Sequence, residues 1–274
     1  MLAVMYGLFG LIIGSFVNVV VLRSGVLSLS GKSGCMSCGA KIKWYDLIPV
    51  LSWLALRGRC RACGSRISVQ YPAVELGTGV SFALIGGASL PPLATLLGLL
   101  ICSVLIAIAV YDLRHTIIPD AWVWSFNALA LISIFLPESS LTAFSSQTAF
   151  DTIAGPIVAA PLFVLWLVSR GKWIGLGDSK LALGIGWLLG SLAGIKAVLL
   201  AFILGAIIGL ALIFFSSALW NRIVKQFIQH HSWHMSGAGI TMKSEIPFGP
   251  FLIAACLFVW ISQIYHIPIP FLWQ

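Results

Sequence analysis

From Leu76 to Tyr111 the chain carries no Asp, Glu, Lys or Arg, a stretch longer than the roughly 20 residues that an α-helix needs to cross a bilayer. Gly86-Gly87 and Pro91-Pro92 interrupt it, so it reads as two crossings joined by a tight turn. Leu2–Leu22 is a further uncharged stretch, ending at Arg23, and it lacks the basic start and cleavage site of a secretory signal. Ala121–Pro137, Thr152–Ser169, Leu181–Ile195, Ala197–Asn221 and Ile246–Tyr265 supply five more. Charged residues make up only 9% of the 274 residues and the mean hydropathy is +1.03, whereas a soluble domain carries about 25% charge. A soluble enzyme is excluded. The pattern predicts an all-α polytopic membrane protein of about eight transmembrane helices.

The cations orient those spans. With the N-terminus outside, the loops 23–72, 112–120, 170–180 and 220–246 face the cytoplasm and hold every Lys and Arg except Lys196. The basic balance therefore reports topology, and no soluble domain offers the interleaved cations and aromatics that nucleic acid requires. The chain divides into a first transmembrane helix (1–22), a small cytoplasmic domain (23–72) and a membrane domain (73–274). A domain of about 50 residues buries little core and needs a staple.

Cys35-Met-Ser-Cys38 and Cys60-Arg-Ala-Cys63, each followed by glycine, supply one. Four thiolates in two CxxC knuckles can close a tetrahedron around zinc; two dithiols are the alternative, and disulfides are disfavoured in a reducing compartment. Four Cys fill the coordination shell and leave no open position for water, so such a zinc is structural. Cys102 and Cys256 lie in uncharged spans and read as packing residues.

The eight acidic residues are Asp46, Glu75, Asp112, Asp120, Glu138, Asp151, Asp178 and Glu245. Carboxylates at membrane depth are expensive and need individual explanations. Asp112 directly follows an apolar run. Asp120 follows Pro119 and either starts the next helix or takes part in chemistry. Asp178, in Gly175-Leu-Gly-Asp-Ser-Lys180, is either an N-cap or the partner of Asp112. The topology puts both at the cytoplasmic face, where two carboxylates sharing a proton can activate a water, as in an aspartic protease. Glu138 and Asp151 read as external-loop charges. There is no GxSxG, and His115, His230, His231, His234 and His266 lack the HExxH spacing. An ion-relaying or metal-binding membrane transporter, the alternative from another class, would show paired inverted repeats; the sequence has none.

Taken together, the motifs resemble the type IV prepilin peptidase family, the GxGD membrane aspartic proteases that process type IV prepilins. The resemblance rests on Gly14-Ser-Phe-Val-Asn18, Trp44-Tyr-Asp46-Leu-Ile-Pro49-Val-Leu-Ser-Trp53 between the CxxC pairs, Tyr71-Pro72-Ala-Val-Glu75, the Asp112 segment, Gly175-Leu-Gly-Asp178 and Ile246-Pro-Phe-Gly249-Pro250. It implies catalysis by Asp112 and Asp178, leader cleavage after Gly, and N-methylation of the new N-terminus from S-adenosylmethionine. The substrates it implies are prepilins, or pseudopilins of type II secretion, processed at the bacterial inner membrane. It also implies that the four-Cys domain and Glu75 serve the methylation half, Glu75 being otherwise an interfacial charge paired with an arginine. Leu47, Met36, Gln70 and Ser24-Gly25 depart from the family's usual residues, all in or beside this domain, so a peptidase lacking the methyltransferase is the near alternative.

Overall fold

A computed structural model describes residues 1–24, 34–135, 148–214 and 247–267. Among these the chain is helical, with no strand beyond two isolated bridges. The helices are α1 (Leu2–Arg23), α2 (Leu51–Ala55), α3 (Gln70–Gly87), α4 (Pro92–His115), α5 (Asp120–Ile134), α6 (Thr148–Ser169), α7 (Leu176–Leu189), α8 (Ser191–Phe214) and α9 (Gly249–Ile264). Four of them, α1, α4, α6 and α8, are long and apolar enough to cross a membrane, and α5 and α9 are shorter apolar helices. The chain folds as two compact units, Met1–Gly87 and Ala88–Gln274.

In the first unit α1 and α3 pack along their length. The buried residues of α1 are Gly10, Gly14, Val17, Asn18 and Val21, spaced to form one helical stripe. A Cβ on Gly10 would lie 2.7 Å from Phe82 Cβ, and one on Gly14 would lie 2.7 Å from Glu75 Cα. Only hydrogen fits at these two positions. In a bilayer, where the surrounding lipid is as apolar as leucine, such close backbone approach is what holds two helices together. Asn18 adds a polar tie, its Nδ2 donating to the Tyr71 carbonyl at 3.2 Å.

The second unit is built from α4 to α9. Its core includes Cys102, Leu105 and Ile108 of α4, Phe126 and Ala130 of α5, Leu181 and Ile185 of α7, and Cys256 and Trp260 of α9, all fully buried. Both intramembrane cysteines are thus packing residues, as expected. Helix α7 is held from several sides: Asn127 of α5 donates to the Lys180 carbonyl at 3.1 Å, Trp187 to the Thr152 carbonyl of α6 at 2.8 Å, and Gln263 of α9 to the Leu189 carbonyl at 3.3 Å. Such bonds leave few ways for α7 to slide, because each donor lost in hydrocarbon would find no water to replace its partner.

The break between Gly87 and Pro92 falls where the glycine and proline pairs place it. Helix α3 begins at Gln70, ahead of the uncharged run, so that Glu75 lies within it, and a second boundary differs as well. Leu181–Ile195 reads from sequence as a span ending before an external Lys196, but α7 ends at Leu189 and Lys196 lies within α8. Gly190, at φ 86°, turns the chain there, a left-handed conformation that glycine adopts without penalty. Glu138, Glu245, His230, His231 and His234 lie outside the described residues.

Replacing Gly14 by Leu should pry α1 from α3 and destabilise the protein by about 2 kcal/mol, the scale of overpacking a filled interface. Thermal unfolding in detergent should show a Tm several degrees lower, and an unchanged Tm would mean the close approach is not stabilising.

Candidate active site and metal centre

Two carboxylates are brought together in the second unit. Asp112 sits in the last turn of α4, which Thr116 terminates in a left-handed conformation at φ 52°. The side chain is only 3% exposed, and its Oδ2 accepts the N–H of Gly249 at 3.1 Å from the first turn of α9. Asp178 lies in the first turn of α7, 7% exposed, with its Oδ2 accepting the Gly175 N–H at 3.2 Å. Its Oδ1 is buried without a hydrogen-bond partner. Ile118 lies against the backbone next to both: a Cβ on Gly177 would lie 2.9 Å from Ile118 Cβ, and one on Gly249 would lie 3.2 Å from Ile118 Cδ1.

Asp178 is therefore not the N-cap, a position that Gly175 takes. It stands three residues on, and one of its oxygens does reach back to the cap's N–H. The reading as helix-start chemistry accounts for that oxygen only. The orphaned Oδ1, a buried acceptor that costs free energy unless something donates to it, is what helix geometry leaves unexplained. A water or a substrate amide that donates to it would satisfy it.

Asp120 starts α5 as expected, and it also makes an ion pair with Lys180 at 2.7 Å. This pair joins the segment after Asp112 to the helix bearing Asp178. Being half open to water it contributes little stability by itself, but it fixes register between two helix ends. His115 packs on Tyr111, ring centroids 4.4 Å apart, at the end of α4.

The first unit carries the cysteine cluster. Cys35 and Cys60 each begin the same turn: the N–H of Gly39 donates to the Cys35 carbonyl at 2.8 Å, and that of Gly64 to the Cys60 carbonyl at 2.9 Å. Gly39 at φ 70° and Gly64 at φ 71° make the turns possible. The Sγ atoms of Cys35, Cys38, Cys60 and Cys63 all lie within 4.8 Å of one another, and those of Cys35 and Cys63 are 3.8 Å apart. Tetrahedral bonds of about 2.3 Å to one metal ion require sulfur spacings of that size, so the donor set fits. N–H donors at Cys38 and Ser37 hold the Cys35 thiol down at about 6, and the Ser65 hydroxyl lowers Cys63.

Around the knuckles, Arg61 grips Asp46 with two bonds, at 2.7 and 3.1 Å, holding that carboxyl below its usual range. Lys43 and Arg61 flank the Tyr45 ring at 5.6 and 5.4 Å. Glu75 is buried in α3 at 7% exposure. In place of the arginine of the alternative reading, it accepts the backbone N–H of Val50 at 2.7 Å and a bond from Ser15. Val50 stands at φ 61°, so Glu75 pins a strained turn in the Trp44–Trp53 segment onto α3. No local sequence signal marks that contact.

These features define a helical membrane protein with a buried pair of carboxylates and a four-cysteine site able to hold a metal ion. The chain belongs to the type IV leader peptidase family: that family's model matches residues 99–210, and the model of the bacterial peptidase A24 N-terminal domain matches residues 8–87. Among curated proteins it is 31% identical to a prepilin leader peptidase/N-methyltransferase of Dickeya chrysanthemi, over 89% of this chain and 87% of that one. It is 34% identical to a protein of the same name from Myxococcus xanthus, over 77% of this chain and 63% of that one, less than two thirds of its length. A type 4 prepilin-like proteins leader peptide-processing enzyme of Escherichia coli is 35% identical, over 72% of this chain and 81% of that one. No solved structure matches the chain.

Purified protein should carry about one metal ion per chain. Because the ligands bind as thiolates, protons compete with the ion, so it should be retained at neutral pH and released progressively as the pH is lowered. Metal analysis after dialysis at each pH reads this directly, and a metal-free folded protein at pH 7 would contradict it.

Proposed function

We propose that this chain is a bifunctional prepilin leader peptidase and N-methyltransferase, and that Asp112 and Asp178 are its catalytic pair. One observation carries the peptidase half: two carboxylates from separate helix ends, both nearly buried, whose neighbouring backbone at Gly177 and Gly249 meets at the single side chain of Ile118. Like charges so placed share a proton. The ionised member takes a proton from a water, the resulting hydroxide adds to the peptide carbonyl, and the protonated member gives its proton to the departing amine. The N–H groups of Gly175 and Gly249 each hold one oxygen of their carboxylate, and the second oxygen of Asp178 is left for water or substrate.

The substrates are type IV prepilins or type II secretion pseudopilins, cut after Gly, and the enzyme sits in the inner membrane with its N-terminus outside. That orientation is supported by the cations, which gather in the loops 23–72, 112–120, 170–180 and 220–246. Residues 1–22 form the first span, 23–72 the cytoplasmic domain and 73–274 the peptidase domain.

The α-amine freed by cleavage is then methylated with S-adenosylmethionine as donor, a step that depends mainly on positioning. The cytoplasmic domain serves this half. Cys35, Cys38, Cys60 and Cys63 hold a structural zinc that ties its two knuckles together, and Glu75 supports the domain by anchoring Val50.

Asp112→Asn and Asp178→Asn should each lower cleavage of a prepilin by at least about a thousandfold while the protein stays inserted and folded. Incubating the reconstituted wild-type enzyme with a prepilin and labelled S-adenosylmethionine should give a shortened, labelled product. Cleavage without label would remove the methyltransferase half, and undiminished cleavage by either variant would remove the pair.

A further inference from the structure

Ile118 lies against the backbone next to Asp178 and against the backbone that holds Asp112. It lies in the short connection from α4 to α5 and is half-buried. A Cβ on Gly177, the residue before Asp178, would lie 2.9 Å from Ile118 Cβ. A Cβ on Gly249, whose N–H holds Asp112, would lie 3.2 Å from Ile118 Cδ1 and 2.5 Å from Asp112 Oδ2. One β-branched side chain thus packs against the backbone beside both aspartates and keeps part of its surface open.

This placement has a consequence for substrate. To react, a carbonyl carbon must come within about 3 to 3.5 Å of the water held by the pair. The α-carbon on the acyl side of the bond is one bond from that carbonyl, whereas the α-carbon on the amine side is two bonds away. Any side chain on the acyl residue is therefore brought against whatever walls the pair. Isoleucine makes that wall stiff, because branching at Cβ restricts its rotamers, and its side chain is packed closely against the backbone at Gly177 and Gly249.

We infer that Ile118 is a specificity-determining residue that limits the acyl-side residue of the substrate to glycine. The inference rests on the peptidase reading above and adds to it the wall that selects the cleavage site. Asp112 and Asp178 supply the reaction, and Ile118 supplies the size limit.

The test compares two prepilin substrates, identical except for Gly or Ala before the scissile bond, on wild-type enzyme, Ile118→Val and Ile118→Ala, all reconstituted as full chains. The quantity read is the ratio of kcat/KM for the Gly substrate to that for the Ala substrate. Ile118→Ala should lower this ratio at least about tenfold, the discrimination that one methylene commands in a tight pocket, and Ile118→Val should lower it by less. A wild-type ratio in an active variant would overturn the inference. So would loss of Gly-substrate cleavage in both variants, which would make Ile118 a support of the pair and not a gauge of the substrate. Failure of the wild-type enzyme to cut the Gly substrate would instead strike the peptidase reading itself.

Discussion

Burying two carboxylates side by side in a protein surrounded by hydrocarbon is the constraint from which the rest of the second unit follows. An ionised carboxylate at such a place is costly unless hydrogen-bond donors or a proton compensate it. The structure meets this cost with backbone N–H groups at helix starts, where unpaired donors are available by construction. Gly249 opens α9 beside Asp112, and Gly175 caps α7 beside Asp178. Both helices must then begin at the site. The glycines are part of the same requirement, since a side chain at 249 would strike the Asp112 carboxylate and one at 177 would strike Ile118.

The first unit answers a different constraint. Its extramembrane part is too small for a core of its own and is held by discrete ties: four sulfurs gathered within 4.8 Å, the Asp46–Arg61 pair, and the bond from Val50 to Glu75. The last of these is anchored on α3, which α1 grips through Gly10, Gly14 and Asn18. The first-span motif and the Glu75 motif are therefore two sides of one interface, with the turn at Val50 hung from it. That arrangement explains why chemically unrelated motifs, one glycine-rich and apolar, one acidic, accompany the cysteines in this chain.

Much of this was legible in the sequence because charge is so scarce. Uncharged runs located the helices, the two knuckles announced four sulfurs in one place, and eliminating ordinary roles left Asp112 and Asp178. What escaped was whatever depends on contacts between distant segments. Nothing near Glu75 indicates the Val50 N–H, since its donor is a backbone group that every residue possesses. Lys196 was misplaced because a single lysine in an apolar stretch looks like a loop, while Gly190 six residues earlier makes the actual turn. In the sequence Asp178 offers a choice between capping and catalysis; its two oxygens are differently engaged, one tied to Gly175 and the other without a partner.

The central claim is that Asp112 and Asp178 act as one unit. A double-mutant cycle on kcat/KM for prepilin cleavage, using Asp112→Asn, Asp178→Asn and the combined variant in long incubations at high enzyme concentration, tests it most directly. Residues that share one proton and one water lose their function together, so the double variant should be no slower than the slower single variant. Losses that multiply, as they do for independent sites, would contradict the account.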